Sequence, residues 1–278
     1  MSKFIALSTA ALACSVALSG VLGLVTPTGP AANVLLPSGE EIVQHINARD
    51  EGLTASSTLL MELIDRRGEK LVRKTRTFRK YYAAEKRTAI FYVLPKNVEG
   101  TAFLTFHYLE EKRDDVQWLY LPSLRKVRRI SAADRGEAFL GTDFTYDDMK
   151  RESKVSLTDY AWKTLGEDSI DGHRCYMLEG IPVNRDVAKE LGYGRVVSWV
   201  DTEIWMVRKT DFWDVRGEPL KSSFVRDIRP VQGIWTAHEL EAHNHKTGHH
   251  TVFTFSDVDY GSKIDDDLFT ERTLLRGL

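Results

Sequence analysis

Four histidines near the carboxyl end of the chain are its best candidates for metal chemistry. They are His243, His245, His249 and His250. Alternate residues of a strand share a face, so His243 and His245 lie together, and a turn at residues 246–248 brings His249 opposite His245. Imidazoles at that spacing could share a zinc or copper ion, but a structural zinc site usually takes four ligands, and a lysine stands in this turn. We therefore expect polar histidines on an exposed hairpin end, with no metal and no other cofactor.

Three aspartates that lie close together in the chain are the candidates for acid–base chemistry. They are Asp143, Asp147 and Asp148. Paired carboxylates act as general acid and base only where a substrate is placed between them and their pKa values differ. The sequence indicates neither condition. It favours a loop whose acids pair with the basic run at residues 125–129.

That basic run also has a functional interpretation. Its cations are Arg125, Lys126, Arg128 and Arg129. Alternating cations at the rim of a cavity could contact anionic lipid head groups. The alternative is a solvated strand face without a ligand.

The charge balance and the missing motifs argue against several classes of function. The sequence has no G-x-S-x-G, P-loop, H-E-x-x-H or C-x-x-C motif. Its 38 basic and 40 acidic side chains give a formal net charge of −2, and this balance argues against a nucleic-acid partner. We therefore expect a binding protein rather than an enzyme.

The amino-terminal segment has the layout of a secretory signal peptide. One positive charge precedes an uncharged apolar run at residues 4–25, which prolines then end. We expect residues 1–32 to form the signal, with cleavage between residues 23 and 32, and residues 33–278 to form a single exported domain. Two alternatives stay open, an uncleaved membrane anchor and lipid attachment at Cys14.

Strands dominate the rest of the chain. β-Branched and aromatic runs between turn residues predict about eleven strands between Thr58 and Val258. Asp171-Gly172 is a strong signal for a two-residue hairpin, and Lys246-Thr247-Gly248 is a second turn. Many strands and few helices cannot make an alternating parallel fold. The sequence therefore predicts a mostly β (α+β) fold, a curved antiparallel sheet with helices on its concave side.

Four segments have helical patterns. Ser38 and Glu41 form a capping box ahead of an apolar stripe that includes Ile42 and Ile46. The other three segments are Ser131–Leu140, Val183–Leu191 and Asp266–Leu274.

Several strands are apolar on both faces, which indicates cover on both sides of the sheet. They are Ile90–Leu94, Trp118–Leu121 and Ile204–Val207. Because the predicted helices are too few to cover a long sheet tightly, we expect an apolar and partly filled interior. The alternative is a tightly packed core without space for a ligand.

One stretch carries a family resemblance. From Gln117 to Met149 the chain reads Q-W-L-Y-L-P-S-L-R-K-V-R-R-I-S-A-A-D-R-G-E-A-F-L-G-T-D-F-T-Y-D-D-M. It resembles the bacterial outer-membrane lipoprotein-sorting protein family, relatives of the LolA and LolB carriers, most specifically at Trp118–Pro122 and Phe139–Met149. The resemblance implies a half-open antiparallel barrel that holds acyl chains under lid helices. It also implies a periplasmic carrier of lipids or lipoproteins, with an RND-type exporter as a partner.

Together, the strand pattern and the resemblance predict a trough for acyl chains and a lid over it. The predicted trough residues are Phe91, Trp118, Tyr120 and Phe144. The predicted lid residues are Ile42, Ile46, Phe139 and Leu140. This chain is longer than the LolA carrier, and that carrier's functional residues could not be matched to positions in it. Two other functions stay open: a sensor of misplaced lipoproteins that signals to a membrane partner, and a metal-dependent hydrolase that uses the histidine hairpin.

Overall fold

The computed structural model describes residues 35–110, 113, 115–151 and 154–278, and Leu36–Leu278 form one unit of it. The predicted signal segment, residues 1–32, lies outside the described residues. None of the described helices is long and apolar enough to cross a membrane.

The fold is built on one curved, unclosed antiparallel sheet of thirteen strands. The strands are β1 (Thr54–Ile64), β2 (Lys70–Tyr81), β3 (Glu85–Leu94), β4 (Ala102–Tyr108), β5 (Val116–Leu121), β6 (Lys126–Ile130), β7 (Tyr160–Ile170), β8 (His173–Pro182), β9 (Arg195–Asp201), β10 (Val207–Trp213), β11 (Pro219–Val231), β12 (Ile234–Asn244) and β13 (His250–Asp259). Their order is β6-β5-β4-β3-β2-β1-β13-β12-β11-β10-β9-β8-β7. The predicted class is confirmed, with thirteen strands instead of about eleven.

Hairpins connect most neighbouring strands, and the first and last strands pair at the centre of the sheet. Leu60 of β1 lies opposite Thr254 of β13, so two sequential arms of the sheet join there. Between β7 and β8, Asp171 and Gly172 have φ values of +50° and +81°, as the predicted two-residue turn requires. The second predicted turn, at residues 246–248, connects β12 to β13.

The helices are short. They are α1 (Gly39–Ala48), α2 (Tyr146–Arg151), α3 (Arg185–Leu191) and α4 (Glu271–Arg276), with single 3₁₀ turns at Ala132–Asp134, Phe139–Gly141 and Asp266–Phe269. The predicted capping box of α1 is confirmed, since Ser38 Oγ accepts from the Glu41 amide and the Glu41 carboxylate accepts from the Ser38 amide. Asn184 caps α3, which ends at Gly192 in the left-handed region.

The predicted helix at Ser131–Leu140 is wrong. Leu140 has a φ of +49°, and the Phe139 amide donates to the Phe144 carbonyl instead of to a residue one helical turn earlier. Gly136 lies so close to the end of α3 that an added Cβ would be 2.5 Å from the Glu190 carbonyl oxygen. The segment therefore folds as a compact loop held by partners outside itself.

Both faces of the sheet are covered over β2–β5. Leu59, Ile90 and Phe253 lie on the face that we call the inner face. On the opposite, outer face, side chains of β2–β5 pack against the carboxyl-terminal segment. That outer cluster contains Phe78, Phe91, Leu104, Ile264, Phe269 and Leu274. The carboxyl-terminal cover explains why β3 and β5 are apolar at successive positions.

Candidate ligand-binding cavity

A cavity of about 370 Å³ lies on the inner face of the sheet. Its apolar wall includes Leu59, Ile90, Phe224, Val225, Phe253 and Phe255. Strand alternation places Phe253 and Phe255 on the same face of β13, and both point into the cavity. Ligand pockets typically measure about 300–1,000 Å³ and have mostly apolar walls. The cavity therefore has the size and the chemistry of a site for an apolar ligand.

Helix α1 covers the inner face beside one side of this cavity. Ile42 and Ile46 are fully buried against Leu178 of β8 and Val200 of β9. Trp162 packs on the same cluster and also lines the cavity. The buried stripe of α1 thus continues directly into the cavity wall.

The compact loop at residues 131–149 fills the inner face on the other side. Phe139 is fully buried, with its ring centroid 5.0 Å from that of Phe103. Phe144 stacks on Phe253 at 4.5 Å between ring centroids and lines the cavity. Leu140 packs at the edge of the same core.

A buried lysine ties this loop to the sheet. Lys221 of β11 is 3% exposed, and its Nζ donates to the Asp143 carbonyl and to Asp148 Oδ2, each at 2.8 Å. The ammonium also lies 4.8–5.8 Å from the centroids of three rings, Phe144, Tyr193 and Phe212. Burial, together with the Asp148 carboxylate, raises the pKa of Tyr193 well above its usual value, so its hydroxyl stays protonated and donates to Asp148.

A group of charged side chains forms another part of the cavity wall. Arg49, Glu51, Arg79 and Lys154 all line the cavity. Glu51 Oε2 accepts a hydrogen bond from the Tyr81 hydroxyl at 2.5 Å and lies 3.9 Å from both Arg79 Nη1 and Lys154 Nζ. Arg79 Nη2 also donates to the Glu51 carbonyl oxygen.

A second, more polar cavity of about 590 Å³ lies next to these charges. Arg49, Glu51 and Lys154 line both cavities. The acids of the second cavity include Asp115, which accepts from the Tyr108 amide, and Asp159, which pairs with Arg135. The charged wall thus separates an apolar space from a polar one.

The structure separates the predicted apolar site residues into three groups. Phe144 lines the cavity. The predicted lid residues Ile42, Ile46, Phe139 and Leu140 lie in the packed regions on its two sides. Phe91, Trp118 and Tyr120 lie on the outer face, with the carboxyl-terminal segment. Ligand binding by any of these residues stays a prediction.

The predicted head-group residues Arg125, Lys126, Arg128 and Arg129 lie in and beside the edge strand β6 and are exposed. Arg128 pairs with Asp134 at 3.0 Å. The acids expected to pair with this run have other partners, since Asp143 contacts His249, Asp148 contacts Lys221 and Asp147 lies 4.0 Å from Arg135.

The histidine hairpin forms, but the predicted placement of His249 opposite His245 is wrong. His243 pairs with His250, and the Asn244 amide donates to the His249 carbonyl, so His245 lies in the turn beyond the ladder. The His243 ring lies against His250 with centroids 5.2 Å apart, and His245 Nε2 lies 3.0 Å from Ser222 Oγ. Within the part of the chain that the structure describes, no group of three or more histidine, cysteine or acidic residues has the arrangement of a metal site.

Sequence analysis missed most of the cavity wall. The sequence could have indicated Phe253 and Phe255, because they alternate with polar Thr254 and Ser256 as inward-facing residues of a strand do. It could not have indicated Arg49, Arg79 and Lys154, because they are brought together from three distant parts of the chain.

Solved structures resemble this fold over most of its length. A domain assigned as an outer membrane lipoprotein-sorting protein from Vibrio parahaemolyticus is 30% identical, with a TM-score of 0.77 over 86% of this chain and 98% of that domain. A DUF1329 family protein from Desulfovibrio piger is 26% identical, with a TM-score of 0.78 over 85% of this chain and 97% of that one. A LolA superfamily protein from Nitrosomonas europaea shares the fold at 19% identity, with a TM-score of 0.63 over 85% and 99% of the two chains.

Sequence comparison adds one match. A family model described as "Uncharacterized protein" matches residues 84–276. No curated protein matches the chain at a significant level. The extent of the Vibrio match agrees with the resemblance found between Gln117 and Met149, and the chain belongs to the outer-membrane lipoprotein-sorting protein family.

Proposed function

We propose that this protein is a periplasmic carrier that holds the acyl chains of lipids or lipoproteins in the inner cavity. The observation that carries the proposal is the open space of about 370 Å³ against the apolar side chains of β1, β3, β11 and β13. Family membership supports the same function, because the Vibrio relative is assigned to lipoprotein sorting. The signal-like amino terminus supports export.

Burial of an acyl chain gives this carrier its driving force. Each methylene removed from water contributes about 0.8 kcal/mol, so a sixteen-carbon chain contributes roughly 12 kcal/mol before other terms. The entropy lost when the acyl chain is ordered, and the free energy needed to open the cavity, offset much of this gain. The affinity that is left can be overcome by an acceptor, which a shuttle requires.

The exposed cations of β6 suit contact with the donor or acceptor membrane. Arg125, Lys126, Arg128 and Arg129 extend from a sheet edge, where anionic head groups can approach them. An RND-type exporter as the membrane partner follows from the family resemblance, and co-purification of the tagged protein from membranes tests it.

The cavity is tested by filling it. Ser57 of β1 lines the cavity, so Ser57→Phe places a ring in the space proposed for cargo. Thr254→Phe is the matched control, because Thr254 is exposed on the adjacent strand β13 between the cavity residues Phe253 and Phe255. Each protein is purified from the periplasm, weighed by native mass spectrometry and extracted for lipid.

We expect acyl lipid with the wild-type protein and with Thr254→Phe, and at least about fivefold less with Ser57→Phe, since the added ring occupies the volume of several methylenes. Folding of each variant is checked by circular dichroism. Equal lipid recovery from the two variants would contradict a site in this cavity. Absence of lipid from the wild-type protein would contradict the carrier function.

A further inference from the structure

Three exposed aliphatic side chains lie at one end of the sheet. Val72 is 43% exposed, Leu94 is 55% exposed and Leu124 is 63% exposed. Val72 lies near the start of β2, Leu94 ends β3, and Leu124 lies in the turn between β5 and β6. Because neighbouring strands of the sheet are antiparallel, these positions all belong to the same end of the strands. This end of the sheet therefore presents large apolar side chains to water.

The elements that carry these side chains adjoin one another. Leu94 lies directly opposite Lys74 in the ladder, and Val72 lies two residues before Lys74 on the same face of β2. A Cβ added to Gly100, in the loop after β3, would lie 3.4 Å from Pro122 in the turn after β5. The start of β2, the end of β3 and this turn thus form one surface. We call it the docking end and define it by Val72, Lys74, Leu94, Lys96, Leu124 and Arg125.

The docking end is positively charged. Lys74, Lys96 and Arg125 are exposed, and none of them forms an ion pair with a described residue. Of the acids nearby, Glu62 has a lysine partner of its own, and Glu99 faces water. The positive charge also continues into the exposed cations of β6. The partner of this surface should therefore be anionic.

Isolated aliphatic side chains among cations fit the surface of an anionic bilayer. Cations close to such a surface meet the phosphates of its head groups, and each contributes about fivefold to binding. Leucine and valine side chains can enter the apolar region below the head groups. A protein partner would instead favour aromatic side chains at the centre of the interface, whereas the exposed apolar side chains of the docking end are all aliphatic.

We propose that the docking end binds the surface of an anionic phospholipid bilayer, with Leu94 and Leu124 inserted and the three cations against the head groups. This inference rests on the carrier function proposed above and adds to it the surface that meets the membrane. Two inserted leucines and a few exposed cations give a contact that can be reversed, as a shuttle requires. The cavity wall is not part of this surface, so membrane binding and cargo binding can be lost separately.

The apolar anchors are tested by replacing both leucines. Leu94→Asn with Leu124→Asn keeps the charge of the docking end and removes its two most exposed apolar side chains. The matched control is Leu53→Asn with Leu165→Asn. Leu53 is 79% exposed at the other end of the strands, just before β1, and Leu165 is 40% exposed on the edge strand β7. Circular dichroism checks that each double variant is folded.

The cations are tested in the same way. Lys74→Gln with Lys96→Gln removes two positive charges and leaves the leucines in place. Arg229→Gln with Lys263→Gln is the matched control, because it removes two exposed cations at the other end of the strands, near the ends of β11 and β13.

The experiment measures co-sedimentation with vesicles of phosphatidylcholine alone and of phosphatidylcholine mixed equally with phosphatidylglycerol. We expect the wild-type protein to bind the anionic vesicles at least about tenfold more tightly, and less tightly as salt is added. The leucine variant should bind the anionic vesicles at least about fivefold more weakly than the wild-type protein. The lysine variant should lose most of the preference for phosphatidylglycerol, and both controls should behave as the wild-type protein does.

Ser57→Phe separates this inference from the carrier function, because it fills the cavity and leaves the docking end unchanged. It should bind vesicles as the wild-type protein does. If the leucine variant or the lysine variant bound vesicles as tightly as its control, the docking end would be wrong, and the carrier function would stand on the recovered lipid. A wild-type protein that bound neither kind of vesicle would overturn the bilayer as the partner. Equal loss of vesicle binding in Ser57→Phe and in the leucine variant would place membrane binding in the cavity instead.

Discussion

At the scale of single residues, Lys221 is the side chain whose removal should most disturb the cavity. Lys221→Met keeps much of the apolar stem but leaves the Asp148 carboxylate and the Asp143 carbonyl without their donor. Removing one partner of a largely buried ion pair lowers the free energy of unfolding by more than the pair itself contributes to it, because the other charge stays buried without a partner. We expect the free energy of unfolding to fall by about 2–3 kcal/mol, measured by urea denaturation.

Lys209→Met is the control for this prediction. Lys209 pairs with Asp211 at 2.7 Å, but both side chains are more than one-fifth exposed. Water can replace the lost partner there, so the loss should stay below about 1 kcal/mol. Equal losses in the two variants would show that Lys221 does not hold the loop at residues 131–149 in place.

Residue patterns could not show which face of a strand lines the cavity. In β3, Ile90 faces the inner cavity side and Phe91 faces the carboxyl-terminal segment, yet both are large and apolar. A strand that is covered on both faces does not alternate between apolar and polar residues. Its sequence therefore cannot show which of two successive side chains points into the cavity. The charged part of the cavity wall was beyond prediction for another reason, since Arg49, Arg79 and Lys154 come from distant parts of the chain and meet only after the sheet has formed.

At the scale of elements, the position of α1 depends on a residue without a side chain. A Cβ added to Gly39 would lie 2.5 Å from the carbonyl carbon of Trp162, in the backbone of β7. Gly39→Ala should therefore push the first turn of α1 away from the sheet and lower the free energy of unfolding by about 1–3 kcal/mol. Hydrogen exchange measured by mass spectrometry should show faster exchange in α1.

The control lies on the same helix. Gln44 is exposed, so Gln44→Ala should leave the hydrogen exchange of α1 unchanged. Its free energy of unfolding should stay within about 0.5 kcal/mol of the wild-type value. Unchanged exchange in Gly39→Ala would contradict the close approach of α1 to β7.

Helix prediction succeeded where local signals decide the structure. The capping box of α1 and the caps of α3 are local features, and both helices form. The segment after Ser131 has a similar capping signal but folds against the end of α3 and against Phe144. Tertiary contacts outweighed a weak local preference there, which single-sequence patterns cannot show.

At the scale of the whole molecule, strand-rich patterning and the turn at Asp171-Gly172 were sufficient to predict an antiparallel sheet. They could not predict that β1 pairs with β13, because that ladder joins residues about two hundred positions apart. The sheet stays open, with β6 and β7 at its edges. Charged side chains on β6 protect one edge from pairing with another chain, which is compatible with their proposed contact with membranes.

An open sheet with a cavity at its centre should be most stable with cargo bound. The loop at residues 131–149 and α1 pack on either side of the cavity. Bound cargo would fill the open space between them and add apolar contacts to both. A ligand that binds only the folded state adds about 2.7 kcal/mol of stability at one hundred times its Kd. We therefore expect delipidated protein to melt roughly 5–10 °C below lipid-loaded protein and to recover when dodecanoate is added back. Ser57→Phe is the control, because its cavity is already filled by the added ring. The melting temperature of this variant should be the same with and without lipid. If the melting temperature of the wild-type protein were also unaffected by lipid, cargo would not bind in this cavity.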